Sequence, residues 1–422
     1  MDITIMPESL SGRVRAIPSK SFAHRLLICS ALSDRKTFVK CTGTSEDIDA
    51  TVRSLIALGA GIDRSEEGFE VTPIPEQGAL KRRLLDCGES GSTLRFMLPV
   101  ACALGTDSSF KLAGRLPSRP MSHLEDELKK HGCNLSGQGG DKLCASGQLR
   151  PGHYILPGDV SSQYVSGLLF ALPLLQGDSQ IEITGNIESK DYIYMTLAAL
   201  EEFGIQIEFC GNRLNIKGGT GYKSPGKAEV EGDWSNAAFW LCAGALGGSG
   251  IECRGLNTAS IQGDREVLDI VAKFGAEVKC RGDSVTVKPS VLKGLEIDAR
   301  DIPDLVPALS AVAAIAGGTT VIKNASRLRI KESDRLQTVA GTLSALGADI
   351  TETEDGLLIK GRPRLTGGVV DSCGDHRIAM MAAIAAAACV KPVTIKNAEA
   401  VNKSYPNFFR DFRSLGGRAN EG

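Results

Sequence analysis

The chain has 422 residues, 42% of them hydrophobic, enough to bury one large core or two. A formal net charge of -2 gives no overall attraction to nucleic acid or anionic lipid, and 5% aromatic residues argue against a base-stacking platform, so any anion site must be built locally. The longest apolar run, Ile378 to Val390, has 13 residues, short of the roughly 20 that cross a bilayer, and no membrane partner is expected.

The N-terminal MDITIMPESLSG reads as a strand. It has neither the basic and apolar regions of a signal nor a transit pattern, so the chain is expected to be mature and cytoplasmic. Next comes IPSKSFAHRLLICSAL, a Pro- and Ser-marked start feeding an apolar helix. LIALGAGID follows, a helix ended by a glycine suited to a left-handed cap, then alternating residues of a strand.

The same two signatures return along the chain. The capped apolar helix recurs at CGESGSTLRFMLPVACAL, PGDVSSQYVSGLLFALPLL, EGDWSNAAFWLCAGAL, ARDIPDLVPALSAVAAIAG and SCGDHRIAMMAAIAAAA. The glycine-ended helix recurs at LKKHGCNLS, LEEFGIQIE, VAKFGAEVK, LSALGADIT and FRSLGGRAN. Its glycines, 59, 132, 204, 275, 347 and 416, are separated by 73, 72, 71, 72 and 69 residues. This is a sixfold repeat of strand, buried helix, strand, surface helix and hairpin, an α/β (α+β) fold, although only a polar tail is expected after Gly416.

The repeats group as three and three around the Gly-, Pro- and Lys-rich NIKGGTGYKSPGKAEVEG. The expected domains are residues 13–225, and 1–12 with 226–422. Strands at about Gly12 to Val14 and Tyr222 to Ala228 would cross between them as a hinge.

Five of the six helix starts carry more chemistry than a cap requires: Lys20, Ser21 and Arg25; Gly91, Ser92 and Arg95; Ser161, Ser162 and Gln163; Asp304; and Asp375, His376 and Arg377. The fourth, DWSNAAFW, reads equally well as a cap alone. Helix N-termini offer free N–H groups and partial positive charge, and added Lys and Arg favour a phosphorylated or carboxylated ligand. RIKESDR, Arg329 to Arg335, reads on its own as a solvated helix face, but its place in the repeat makes it a further candidate. The twelve cysteines are scattered without a C-x-x-C pair, and the five histidines do not cluster with them. Buried thiols in a reducing compartment, and no metal site, are expected.

The motifs SKSFAHR, GESGSTLR, LPSRPM, GDVSSQY, IESKDY, IPDL, RIKESDR, GDHRIAM and NKSYPNFF run nearly end to end in an order that resembles the enolpyruvyl transferases. The resemblance implies two similar domains of three βαβαββ-type units with the active site in the cleft between them. It implies transfer of the enolpyruvyl group of phosphoenolpyruvate to the 5-hydroxyl of shikimate 3-phosphate, in the shikimate pathway of aromatic amino acid biosynthesis, by a monomer without metal or organic cofactor. Phosphate leaves through a tetrahedral intermediate, and glyphosate competes for the phosphoenolpyruvate pocket. By motif, the shikimate 3-phosphate ligands would be Lys20, Ser21, Arg25, Ser161, Ser162, Gln163, Ser189, Tyr192, Asp304 and Lys331. Those for phosphoenolpyruvate would be Lys20, Gly91, Arg119, Gln163, Arg335, Arg377 and Lys403, with Asp304, Glu332 and Lys20 catalytic. Two positions depart from the pattern, Arg327 where Asn occurs and Ser92 where Thr is frequent. The sister family acting on UDP-N-acetylglucosamine carries a reactive cysteine before its Arg-Pro motif; AGRLPSRPM has none. A solenoid-like binding scaffold would show the repeat without converging ionisable residues.

Overall fold

In a computed structural model, which describes residues 1–75 and 82–422, the second repeat displays the common pattern. Strand Arg83–Gly88 leads through helix Gly91–Ala103 to the parallel strand Ser108–Leu112. Helix Ser122–Lys130 then returns the chain to the hairpin Cys133–Ser136 and Lys142–Gly147, whose second strand pairs antiparallel with Ser108–Leu112. Six four-stranded sheets repeat this order. All six periodic glycines sit at positive φ, from 78° to 113°, where a side chain would strain the backbone.

Three sheets belong to a unit formed by Lys20–Val230 and three to a unit formed by Met1–Ser19 with Glu231–Gly422. The boundaries differ from those read in the sequence. Ser11–Arg15 pairs in parallel with Gly250–Arg254, which takes residues 13–19 into the second of these units. Lys227–Glu229 pairs with Thr37–Lys40, which takes residues 226–230 into the first. The segments expected as hinge strands are therefore sheet members, and the chain passes between units at Ser19–Lys20 and Val230–Glu231. The tail after Gly416 also differs. Too short for a hairpin, it forms a strand, Ala419–Glu421, and the N-terminal strand Ile3–Ile5 lies antiparallel between it and Val393–Lys396.

Inside each unit the apolar helices are buried almost all round, as helices without a polar face must be. In one unit they are Lys20–Ala31, Gly91–Ala103 and Ser162–Ala171. In the other they are Trp234–Leu246, Val306–Ala313 and His376–Ala385. Phe96 meets Phe170 edge-on at 5.5 Å between two helices of the first set, and Trp240 stacks on Phe408 at 4.6 Å in the second unit. Each unit has its own core. The helix starts are thereby held by packed cores. Among the described residues no helix is long and apolar enough to cross a membrane.

Candidate active site

Within Lys20–Val230, three buried helices present charged and polar side chains at their N-terminal ends. Lys20, the first residue of its helix, is held by Asp47 at 2.7 Å. Asp47 is itself in the first turn of helix Glu46–Ala57, and its carbonyl accepts from Thr93 Oγ1 at 3.4 Å, which ties that turn to the helix starting at Gly91. Arg25, 1% exposed, donates to the Ser21 carbonyl at 2.7 Å, to the Tyr192 carbonyl at 2.9 Å and to Thr196 Oγ1 at 2.9 Å. Burial lowers its guanidinium to about 10, still charged at neutral pH. Ser189 stands at φ 53°, just before helix Lys190–Glu202. Ser161 caps helix Ser162–Ala171, accepting from Gln163 N–H at 3.3 Å, and Ser162 beside it is buried.

Gln163 joins this helix to the one beginning at Gly91. Its amide oxygen accepts from Arg95 Nη1 and its nitrogen donates to Ser92 Oγ, both at 2.8 Å. Ser92 thus keeps a hydroxyl partner. A Cβ on Gly91 would lie 2.8 Å from Arg119 Nη1 and 2.9 Å from Arg95 Nη1. The space beside Gly91, a residue that the resemblance assigns to phosphoenolpyruvate, is bordered by these two guanidinium tips.

In the other unit the cluster centres on Asp304, in the short turn Pro303–Leu305 that leads into helix Val306–Ala313. Its carboxylate meets Arg335 Nη1 at 2.7 Å, Arg377 Nη2 at 3.2 Å and Lys331 Nζ at 3.6 Å. Arg335, 2% exposed, also donates to Asp375 at 2.7 Å and to Glu332 at 2.6 Å. Asp334 caps helix Arg335–Ala345 through Gln337 N–H, and Arg329 turns outward to Asp334 and Glu352. The seven residues from Arg329 to Arg335 thus divide between a solvated pairing and this cluster. Lys403 donates to the Gly374 carbonyl at 2.7 Å, beside the turn in which Asp375 caps helix His376–Ala385. Arg327 is half-buried, and with Asp304, Arg335 and Glu332 it belongs to the charges surrounding Lys331.

These contacts set the protonation of the cluster. Burial alone would raise Asp304, but Arg377, Lys331 and Arg335 together hold its carboxyl well below the usual range. Burial is also the main influence on Lys331, lowering it to about 8 against the pull of Asp304. At Arg335 burial is outweighed by Asp375, Glu332 and Asp304, which drive its guanidinium further up. At neutral pH the cluster is an array of cations satisfied by the protein's own carboxylates.

The sequence reading missed two acids. Asp47 looks like any acid in a helix's first turn, and its role shows only when the fold brings Lys20 to it across 27 residues. Asp264 lies in IQGDREVLD, outside every helix start and charge run, yet it is buried, and burial and the charge of Asp304 push its carboxyl up. Among the described residues no group of three or more His, Cys, Asp and Glu could hold a metal ion.

A family model described as EPSP synthase (3-phosphoshikimate 1-carboxyvinyltransferase) matches residues 5–412. The chain belongs to the EPSP synthase family. The 3-phosphoshikimate 1-carboxyvinyltransferase of Clostridium kluyveri is 44% identical over 421 residues, covering 99% of this chain and 98% of its own. That of Clostridium novyi is 42% identical over 429 residues, covering 100% and 98%. Among solved structures, an EPSP synthase from Acinetobacter baumannii superposes with a TM-score of 0.81 at 25% identity, covering all of both chains. The enolpyruvyl transferase NikO from Streptomyces tendae shares the fold, with a TM-score of 0.78 at 19% identity over 99% of this chain and 98% of its own. The α/β repeat architecture is that of the EPSP synthase family.

Proposed function

We infer that the chain transfers the enolpyruvyl group of phosphoenolpyruvate to the 5-hydroxyl of shikimate 3-phosphate and releases phosphate, a step of aromatic amino acid biosynthesis. Besides family membership, the observation that carries this reading is the convergence of Lys331, Arg335 and Arg377 on the single carboxylate of Asp304. Such a cluster is an anion site whose counter-ions are its own acids. A ligand bearing a phosphate and a carboxylate, which planar guanidinium forks clamp well, would replace them.

In this reading Arg335, Arg377 and Lys403 hold phosphoenolpyruvate together with Lys20, Gly91, Arg119 and Gln163. Shikimate 3-phosphate takes Lys20, Ser21, Arg25, Ser161, Ser162, Gln163, Ser189, Tyr192, Asp304 and Lys331. As the ligand anions engage the arginines, Asp304 loses the counter-charges that keep its basicity low and becomes able to accept the 5-hydroxyl proton. Glu332, relieved of Arg335 and taking up a proton from solvent as the ligand anions bind, delivers that proton to the methylene carbon. Lys20, poised on Asp47, shares in these transfers. Oxygen bonds to C2 to give the tetrahedral intermediate; the C2–O bond to phosphate then breaks as the methylene proton is taken back. Every ligand comes from one chain, so a monomer suffices. The twelve free cysteines fit a reducing, cytoplasmic setting.

Asp304→Asn and Glu332→Gln should each lower kcat by roughly 10²-fold or more, the scale of a positioned acid or base, with smaller effects on KM. If both variants turn over within a few fold of the parent, the proton-transfer assignment is wrong.

A further inference from the structure

Arg119 is not carried by a buried helix. It follows the short turn Leu116–Ser118, and its N–H donates to the Leu116 carbonyl at 3.2 Å. Pro120 comes next, and a proline bars the residue before it from the helical region, so Arg119 stands extended at φ -75° and ψ 142°. The next carbonyl ties this loop to the core. The Pro120 oxygen accepts from the Tyr164 hydroxyl and from Arg95 Nη2, the latter at 3.2 Å, which uses both of its lone pairs. Tyr164 belongs to helix Ser162–Ala171 and is fully buried. The Arg95 guanidinium lies 5.7 Å from the centre of the Tyr164 ring, and its Nη1 is bound to Gln163 at 2.8 Å, so both donors are themselves held. Burial pushes the Tyr164 phenol up against the pull of Arg95 and Arg119, and it keeps the proton that it donates.

We propose that Tyr164 is a positioning residue for phosphoenolpyruvate: its hydroxyl, together with Arg95, holds the Pro120 carbonyl and so fixes the loop that presents the Arg119 guanidinium beside Gly91. The proposal rests on the reading of Arg119 as a phosphoenolpyruvate ligand. Neither the proton transfers nor the ligand sets above use Tyr164. Without the hydroxyl, the Pro120 carbonyl keeps Arg95 alone, a partly buried acceptor loses a donor, and the loop is free to shift. A small shift at the backbone is felt at the far end of a long side chain, where the guanidinium has to meet its ligand. The neighbours of Tyr164 on the same helix start do not depend on its oxygen. Gln163 is bound by Arg95 and Ser92, and Ser161 caps the helix through Gln163 N–H, so the side proposed for shikimate 3-phosphate keeps its contacts.

The test is a double-mutant cycle by initial rates on wild type, Tyr164→Phe, Arg119→Lys and the pair, with a thermal melt of each. Phenylalanine keeps the ring beside Arg95 and removes one oxygen. Tyr164→Phe should raise the phosphoenolpyruvate KM by about threefold or more, while the shikimate 3-phosphate KM and kcat stay within about twofold. A purely structural role would move both KM values together. Placed on Arg119→Lys, which keeps a charge but loses the planar fork, Tyr164→Phe should add less than about twofold, because its effect passes through the side chain already changed. An unchanged phosphoenolpyruvate KM in Tyr164→Phe overturns the proposal, as does an equal rise for both substrates or an effect undiminished on Arg119→Lys. Should Tyr164→Phe fold poorly, Pro120→Gly loosens the same loop from outside the core, and a phosphoenolpyruvate KM unchanged there overturns the proposal equally. Arg119→Lys separates the two readings. If it leaves the phosphoenolpyruvate KM unchanged, the assignment of Arg119 as a ligand is itself wrong; if it raises that KM while Tyr164→Phe does not, only the positioning role is wrong.

Discussion

Lys331 stands under opposed pressures, and burial wins: its ammonium is lowered to about 8 although Asp304 lies 3.6 Å away. Below that pH it is a cation available to an anionic ligand. As pH rises through 8 it loses its proton and the attraction with it. The dissociation constant of shikimate 3-phosphate, measured by titration calorimetry, should therefore rise several-fold between pH 7 and pH 9. A constant that stays flat over that range would remove Lys331 from the ligand set or show that the ligand holds its proton in place. Asp304 carries the opposite lesson. A carboxylate surrounded by three cations is a poor base until something else neutralises them, so basicity at this position depends on ligand occupancy.

Helix starts organise both clusters, and Gly91 shows how closely. Its φ is ordinary, so alanine would cause no backbone strain there, and the atoms it would meet are side-chain ends, those of Arg119 and of Arg95, the latter held by Gln163. Gly91→Ala should consequently fold with little loss of stability but displace Arg119, raising the phosphoenolpyruvate KM and, more strongly, the inhibition constant of the longer glyphosate. An inhibition constant that rises no more than KM would mean the glycine serves only the turn. Much of this architecture was legible. The glycines that end the surface helices repeat because only that residue accepts the left-handed cap cheaply, and the helix starts declare themselves by Ser, Asp and Pro. The crossing strands were legible near their places but their partners were not: Lys227–Glu229 has only three residues, Ser11–Arg15 buries only Val14, and neither announces the sheet it joins. In the clusters, the cations stood out at helix starts, whereas Asp47 and Asp264 gain significance only from partners far away in sequence.

Across the molecule, six copies of one element provide two compact units, each with its own core and its own set of charged helix starts. The proposed ligands are divided between them, with Arg25, Ser161 and Gln163 in one unit and Asp304, Lys331, Arg335 and Arg377 in the other. A binding scaffold would not need acids and bases set against each other at such short range; a reaction that moves protons between two anions does. The most direct test is phosphate release by the purified chain given phosphoenolpyruvate and an acceptor. Release should be rapid and require shikimate 3-phosphate, with one enolpyruvyl ether formed at the 5-hydroxyl for each phosphate. Release that is absent with shikimate 3-phosphate, or that is supported instead by UDP-N-acetylglucosamine, would contradict it.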